Sequence, residues 1–149
     1  MIVSALLAYA HYLSILLVIS SLVVEAFVFT KEMGLREMKI LQRADTLYGI
    51  AALLVLLTGF VRVYYYGKGS EYYFGNAVFL TKLSLFIVVG LLSIYPTVAF
   101  LRWRKLDKPE EGIKLPDKEY RKIRHFILLE VILVLTLPLL AALMARGIG

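Results

Sequence analysis

Four apolar stretches, residues 2–29, 46–66, 77–101 and 126–145, are each long enough to cross a lipid bilayer. A spanning helix needs about 20 mainly apolar residues, and inside hydrocarbon every backbone N–H and C=O must find its partner within the protein. An α-helix meets that demand one segment at a time. A transmembrane β-barrel would instead alternate in polarity over strands of ~10 residues, and these stretches do not alternate. The sequence therefore predicts an all-α integral membrane four-helix bundle, with residues 1–149 forming a single four-transmembrane-helix domain. The first stretch reads as a retained span and not as a signal peptide. It has no basic segment before it and runs into Thr30-Lys31-Glu32 without a small-residue cleavage site.

Charge is segregated from these stretches. The chain carries 17 Lys+Arg against 11 Asp+Glu, a net charge of +6, although 60% of its residues are hydrophobic. In a bilayer protein such an excess orients the chain and meets anionic headgroups, so nucleic acid is not an expected partner. The first loop holds Lys31, Arg36, Lys39 and Arg43. The third holds Arg102, Arg104, Lys105, Lys108, Lys114, Lys118, Arg121, Lys122 and Arg124. The second loop offers Lys68 and the tail Arg146. Both termini are therefore expected outside and the first and third loops in the cytoplasm (N-out/C-out), with anionic lipids at those cytoplasmic loops. The absence of cysteine removes disulfides, iron–sulfur clusters and thiolate metal sites from consideration.

Local signals fill in the connections. Leu35, Met38, Leu41 and Ala44 recur at three-residue spacing, as in a short interfacial helix leading into the second span. Lys-Pro-Glu-Glu-Gly at 108–112 and Leu-Pro-Asp at 115–117 are turn signals, and Asp117 is a candidate N-cap for the last helix. Tyr64, Tyr65, Tyr66, Tyr72, Tyr73 and Phe74 suit an outer interfacial belt. Gly49, Ala52 and Gly59 place a narrow stripe on the second helix, suited to close helix approach. Pro96 and Pro138 are expected to kink the third and fourth spans.

Polar residues within the spans carry the functional information, because a charge at the bilayer centre costs ~2.5–3.5 kcal/mol on insertion scales and so tends to face the bundle interior. Counting ~1.5 Å per residue from the helix ends sorts them into two layers. The outer layer holds His11, Arg62 and Lys82, from three different helices, with Glu71 the deepest carboxylate on that side. Uncompensated cations at one depth call for an anionic ligand. Each also has a plainer reading: a structural His11 bonded to Ser14 or a backbone carbonyl, a snorkelling Lys82, an Arg62 that ends its helix at the headgroups. The inner layer holds Glu25, Asp45, Tyr48, Arg124, His125 and Glu130. With both signs present, it reads either as an interhelical ion-pair and hydrogen-bond network or as a proton path. His11 and His125 lie at opposite ends of the membrane, so they cannot ligate one iron within one chain.

The sequence resembles a bacterial four-helix family of predicted membrane proteins over essentially its whole length. The resemblance rests on His11, Asp45-Thr-Leu-Tyr48-Gly49, Thr58-Gly59-Phe-Val-Arg62, Lys68-Gly69, Phe79-Leu-Thr-Lys82 and Arg102-Trp103-Arg104. More distantly it is similar to the CopD-like group, which includes the HemJ-type protoporphyrinogen oxidases. In those haem b proteins a first-helix histidine and a third-helix lysine are functionally important, and His11 and Lys82 stand at the matching places. The resemblance implies a prokaryotic inner-membrane protein with a haem b or porphyrin site near the outer leaflet. It also raises copper, against which stand the lack of cysteine and the scattered Met1, Met33, Met38 and Met144.

The leading expectation is a b-type haem protein in electron transfer or porphyrin/quinone redox chemistry, or, if an enzyme, a HemJ-like membrane oxidoreductase. His11 would bind iron, Lys82 would be a second ligand or substrate contact, and Arg62 would hold propionate. The alternative is a non-enzymatic membrane subunit or small transporter whose outer layer binds an anionic lipid or solute. A homo-oligomer or a place in a larger complex is compatible with either.

Overall fold

A computed structural model describes residues 1–67, 69–104 and 112–148. Lys68, Lys105, Lys108 and the turn at 108–111 lie outside the described residues. The apolar stretches become four long helices: α1 (Ile2–Val28), α2 (Leu35–Val61), α4 (Ala77–Trp103) and α5 (Asp117–Ala145). A π-turn (Arg62–Tyr66) prolongs α2, and a short α3 (Ser70–Phe74) lies in the outer loop. All four long helices are long and apolar enough to cross a membrane. The shortest have 27 residues, or ~40 Å of helix against a hydrocarbon core of ~30 Å, so each projects beyond it.

The helices close into a ring. Helix α1 packs along α2 and meets α5, while α4 packs on α5 and meets α2. The faces that meet are narrow. On α1 they are Ser14, Val18, Ser21, Leu22 and Glu25, at helical spacing, while Leu6, Leu13, Leu16 and Phe27 remain exposed, as lipid-facing residues should. Asn76 starts α4 by accepting the Phe79 N–H at 2.9 Å, which satisfies one of the open donors of a helix start.

The cytoplasmic end departs from expectation. The segment with Leu35 at its head is not a separate interfacial helix; it is the first three turns of α2. Met38, Leu41 and Ala44 are buried, and Met38 and Leu41 pack with Phe29, Phe100, Trp103, Leu115, Ile123 and Ile127. The apolar face predicted for headgroups instead completes a protein core. Asp117 is the first residue of α5 and not its cap; Pro116 precedes it. The first and third loops are tied by a strand pair, β1 (Glu32–Met33) and β2 (Ile113–Lys114), antiparallel with Glu32 opposite Lys114. Lys31–Asp117 and Lys114–Glu32 ion pairs, each 2.6 Å, flank it. Gly112 enters β2 at φ +73°, where a Cβ would lie 2.5 Å from the Met33 carbonyl oxygen, so both the backbone angle and the space require glycine.

The small-residue stripe is only partly used. Gly59 lies against His11, whereas Gly49 is exposed, and a Cβ there would meet nothing within 4 Å. Pro96 is buried within α4 and Pro138 is exposed within α5, and both helices continue through them.

Candidate functional site

The outer layer assembles around His11. Its Nδ1 lies 2.8 Å from Thr58 Oγ1 on α2. The Thr58 hydroxyl donates its one proton to the Leu54 carbonyl at 2.5 Å, with the Val55 carbonyl 3.3 Å away. With that proton committed to the backbone, Oγ1 can only accept, so His11 Nδ1 carries the ring proton. A neutral imidazole has one N–H, so Nε2 keeps its lone pair uncommitted. Ser14 is not the partner: its hydroxyl donates to the Ala10 carbonyl at 2.8 Å.

Helix packing fixes this pair. A Cβ on Gly59 would come within 3.3 Å of His11 Cε1, so glycine lets α2 approach the ring. One turn after Thr58, Arg62 opens the π-turn, a helix irregularity frequent at functional sites. Its guanidinium lies over the Tyr12 ring, 5.4 Å from the centroid, and Lys82 Nζ lies 5.5 Å from the centroid of Phe79. Both are half-buried, and the charges of Arg62 and Lys82 both act on His11. The structure thus brings the three predicted residues into one electrostatic neighbourhood. The nearest outer carboxylate in sequence, Glu71, is exposed.

The inner layer differs from the predicted mixture of signs. Glu25 on α1, Asp45 on α2 and Glu130 on α5 are buried, at 2%, 8% and 1% exposure. The charges acting on Glu25 are those of Asp45 and Glu130, and on Glu130 that of Asp45. Tyr48 is buried among them and faces Ser93 of α4. Thr97 of α4 donates to Asp45 Oδ1 at 2.5 Å. His125 is exposed and Arg124 only half-buried. Arg124 precedes Glu130 by six residues, which turns it to another face of α5. Among the described residues, neither joins the carboxylates, so the inner layer is an acid cluster and not an ion-pair network.

Two cavities bear on these layers. A cleft of about 430 Å³ opens between α2 and α4, lined by Lys39, Arg43, Asp45, Leu47, Phe100 and Arg104 among others. A void of about 10 Å³ lies between Ile19, Leu22, Val23, Val131, Val134 and Leu135. Neither reaches His11. The outer residues nevertheless fit one need of a haem: an imidazole whose Nδ1–H is held by an acceptor and whose Nε2 is free to bind iron, beside two cations able to meet propionates. Among the described residues, no three His, Cys, Asp or Glu side chains are grouped so as to hold a metal ion.

Sequence reasoning found His11, Arg62 and Lys82 but missed the role of Thr58. Its signal was present in the i, i+4 relation of Thr58 to Arg62 beside Gly59. Tyr12, Ser93 and Thr97 were also missed as partners, since nothing in one helix tells which residue of the next it will face. Residues 3–149 match the family of predicted membrane proteins DUF2214, and the chain belongs to that family. No curated protein and no solved structure matches it.

Proposed function

We propose that this chain is a b-type haem protein of the prokaryotic inner membrane, serving electron transfer or porphyrin/quinone redox chemistry at the outer leaflet. The observation that carries the reading is the Thr58–His11 pair, which holds the ring in the tautomer that leaves Nε2 free. Such an acceptor behind the ring both orients a ligating histidine and raises its basicity. Arg62 and Lys82 supply the positive charge for propionates or another anionic group, and Lys82 is the candidate second ligand. A bound haem would supply one-electron chemistry; the chain's own part is to bind, orient and neutralise. The resemblance to the CopD-like group supports the same assignment, because its functional histidine and lysine correspond to His11 in the first span and Lys82 in the third. The chain has one tryptophan, Trp103, in place of the tryptophan-rich first helix of HemJ-type proteins, so the proposal stops at haem and does not extend to protoporphyrinogen oxidation.

The test is a reduced-minus-oxidised spectrum of the detergent-purified protein after expression with ample haem. Soret and α bands are expected; His11→Ala abolishes them and His125→Ala leaves them. A colourless wild-type protein would overturn the proposal. One observation favours a second reading. Arg62 and Lys82 are half-buried and lie over the Tyr12 and Phe79 rings, a setting in which an anionic lipid or solute held by a non-enzymatic subunit also fits. Lipid phosphate retained by the wild type and lost in the Arg62→Ala, Lys82→Ala double variant, without haem bands, would select that reading.

A further inference from the structure

The acid cluster of the inner half contains oxygens that the protein leaves unsatisfied. Glu25 Oε1 and Glu130 Oε1 are buried without a hydrogen-bond partner, and so is Ser21 Oγ. Ser21 is the independent sign. Buried serines in a helix usually return their proton to a backbone carbonyl one turn back, as Ser14 does to Ala10. Ser21 lies on the buried face of α1, one turn before Glu25, and makes no such bond. Its hydroxyl is therefore left open to bond within the cluster.

That occupant must be positive. The charges acting on Glu25 and Glu130 are carboxylates only, and unpaired negative charge is costly at buried sites such as theirs. A metal ion is disfavoured by the geometry, since among the described residues no group of three acidic or histidine side chains is placed to hold one. Protons need no such coordination shell.

The structure also contains a route. Directly below the cluster the apolar core of Phe29, Leu41, Phe100, Trp103, Ile123 and Ile127 seals the cytoplasmic end. The cleft between α2 and α4 bypasses this seal, and Asp45 lines it. Asp45 therefore belongs to both places: it borders the open cleft and acts on Glu25 and Glu130 inside. Facing the cluster are Glu25 and Ser21 from α1, Asp45 and Tyr48 from α2, Ser93 and Thr97 from α4, and Glu130 from α5; the cations Lys39, Arg43 and Arg104 stand only on the cleft wall.

We propose that Glu25 and Glu130 form a buried proton-holding site that exchanges with the cytoplasm through the cleft by way of Asp45. A proton moves from water in the cleft to the Asp45 carboxylate and from there to a carboxylate of the pair, with Tyr48 and Ser21 as hydroxyls along the way; the reverse sequence releases it. The proposal does not depend on haem at the outer layer.

The experiment uses the full chain in lipid nanodiscs at neutral pH. Infrared spectroscopy of the wild type should show a protonated-carboxyl C=O band, which Glu130→Gln or Glu25→Gln removes. Transfer to heavy water should shift that band, and Asp45→Asn should slow the shift several-fold while leaving the band in place. Dicyclohexylcarbodiimide, which attacks protonated carboxyls in apolar surroundings, should label Glu25 or Glu130. Absence of both band and label in the wild type would overturn the proposal, and needs no variant to fold. An Asp45→Asn exchange rate equal to wild type would overturn the route. Protection from the label by sodium at constant pH would overturn the proton assignment in favour of an alkali ion.

Discussion

Replacing Thr58 with valine tests the outer site at its most specific point. Valine keeps the shape of threonine and removes Oγ1, the acceptor 2.8 Å from His11 Nδ1. Loss of an acceptor behind a metal-binding histidine costs roughly 10–100-fold in affinity. The ring stays packed against Gly59 in this variant, so the loss should fall at the lower end, about tenfold or ~1.4 kcal/mol. The assay is a haemin titration of the apo-protein in detergent, followed by the Soret absorbance. Thr58→Ser, which restores the hydroxyl, should recover most of the affinity. Thermal melting provides the control: the Thr58 hydroxyl bonds its own helix at the Leu54 carbonyl, and such back-bonding contributes little to helix stability, so the melt should scarcely move. Wild-type affinity in Thr58→Val, with binding still abolished by His11→Ala, would refute the tautomer argument and leave the ring oriented by packing alone.

Two further outcomes concern the frame around the site. Hydrogen bonding and charge from Lys114 hold Glu32 below the ordinary carboxylate value of 4.5, and Lys31 does the same for Asp117 against 3.8. Both therefore bind fewer protons in the folded chain than in the unfolded one, and their contribution, complete above the ordinary carboxylate range, is lost as pH falls through the lowered values. Lys114 is raised above 10.5 by Glu32, so its contribution is complete below that value and fades as pH rises past the raised one. Trp103, buried beside Leu115 and stacked on Phe29, reports this junction, and its emission should shift to the red at the acid and alkaline ends but stay constant between. A red shift beginning at neutral pH would contradict it. The threading is tested by labelling, since the chain has no cysteine: a cysteine at Glu71 should react with an impermeant maleimide in intact cells, and one at Lys118 only after permeabilisation, whereas the reverse pattern would invert the topology.

The legibility of the chain follows from the range of the forces involved. Hydrocarbon imposes its demand on every residue of a span, so the four spans can be found from composition alone. The ends of the helices answer to local packing instead. Residues 35–44 read as a short interfacial helix and Asp117 as a cap of the last helix, but one sequence could not show that these segments are continuous with α2 and α5 and bury Met38, Leu41 and Ile123 in a protein core. The β1–β2 pair could not be foreseen, since two residues carry no periodicity and their pairing depends on the helices that bring the loops together. In the site, residue types were readable because charge in a span is costly, but partners were not. Coarse depth groups Arg124 and His125 with Glu130, but they stand six and five residues before it on α5, about 9 and about 7.5 Å along the axis and on other faces.

The buried charges run opposite to the loop charges, and this inversion is the strongest reason to assign them functions. Loop cations collect on the cytoplasmic side, as threading requires. Within the bundle the cations, Arg62 and Lys82, stand toward the outside, and the carboxyls, Glu25, Asp45 and Glu130, toward the cytoplasm. Membrane insertion alone would favour neither placement. A membrane potential negative inside adds to the cost of both, because it draws cations inward and pushes anions outward. The two proposals relieve each layer with a ligand of the opposite sign: an anion for Arg62 and Lys82, protons for the inner acids. Both could be neutralised within the chain only by meeting each other, and Val18, Leu22, Ala51, Val89 and Val134 form with Tyr48 an apolar core cluster within the bundle. The proposed outer anionic group and inner proton store would then each be loaded from its own side of the membrane.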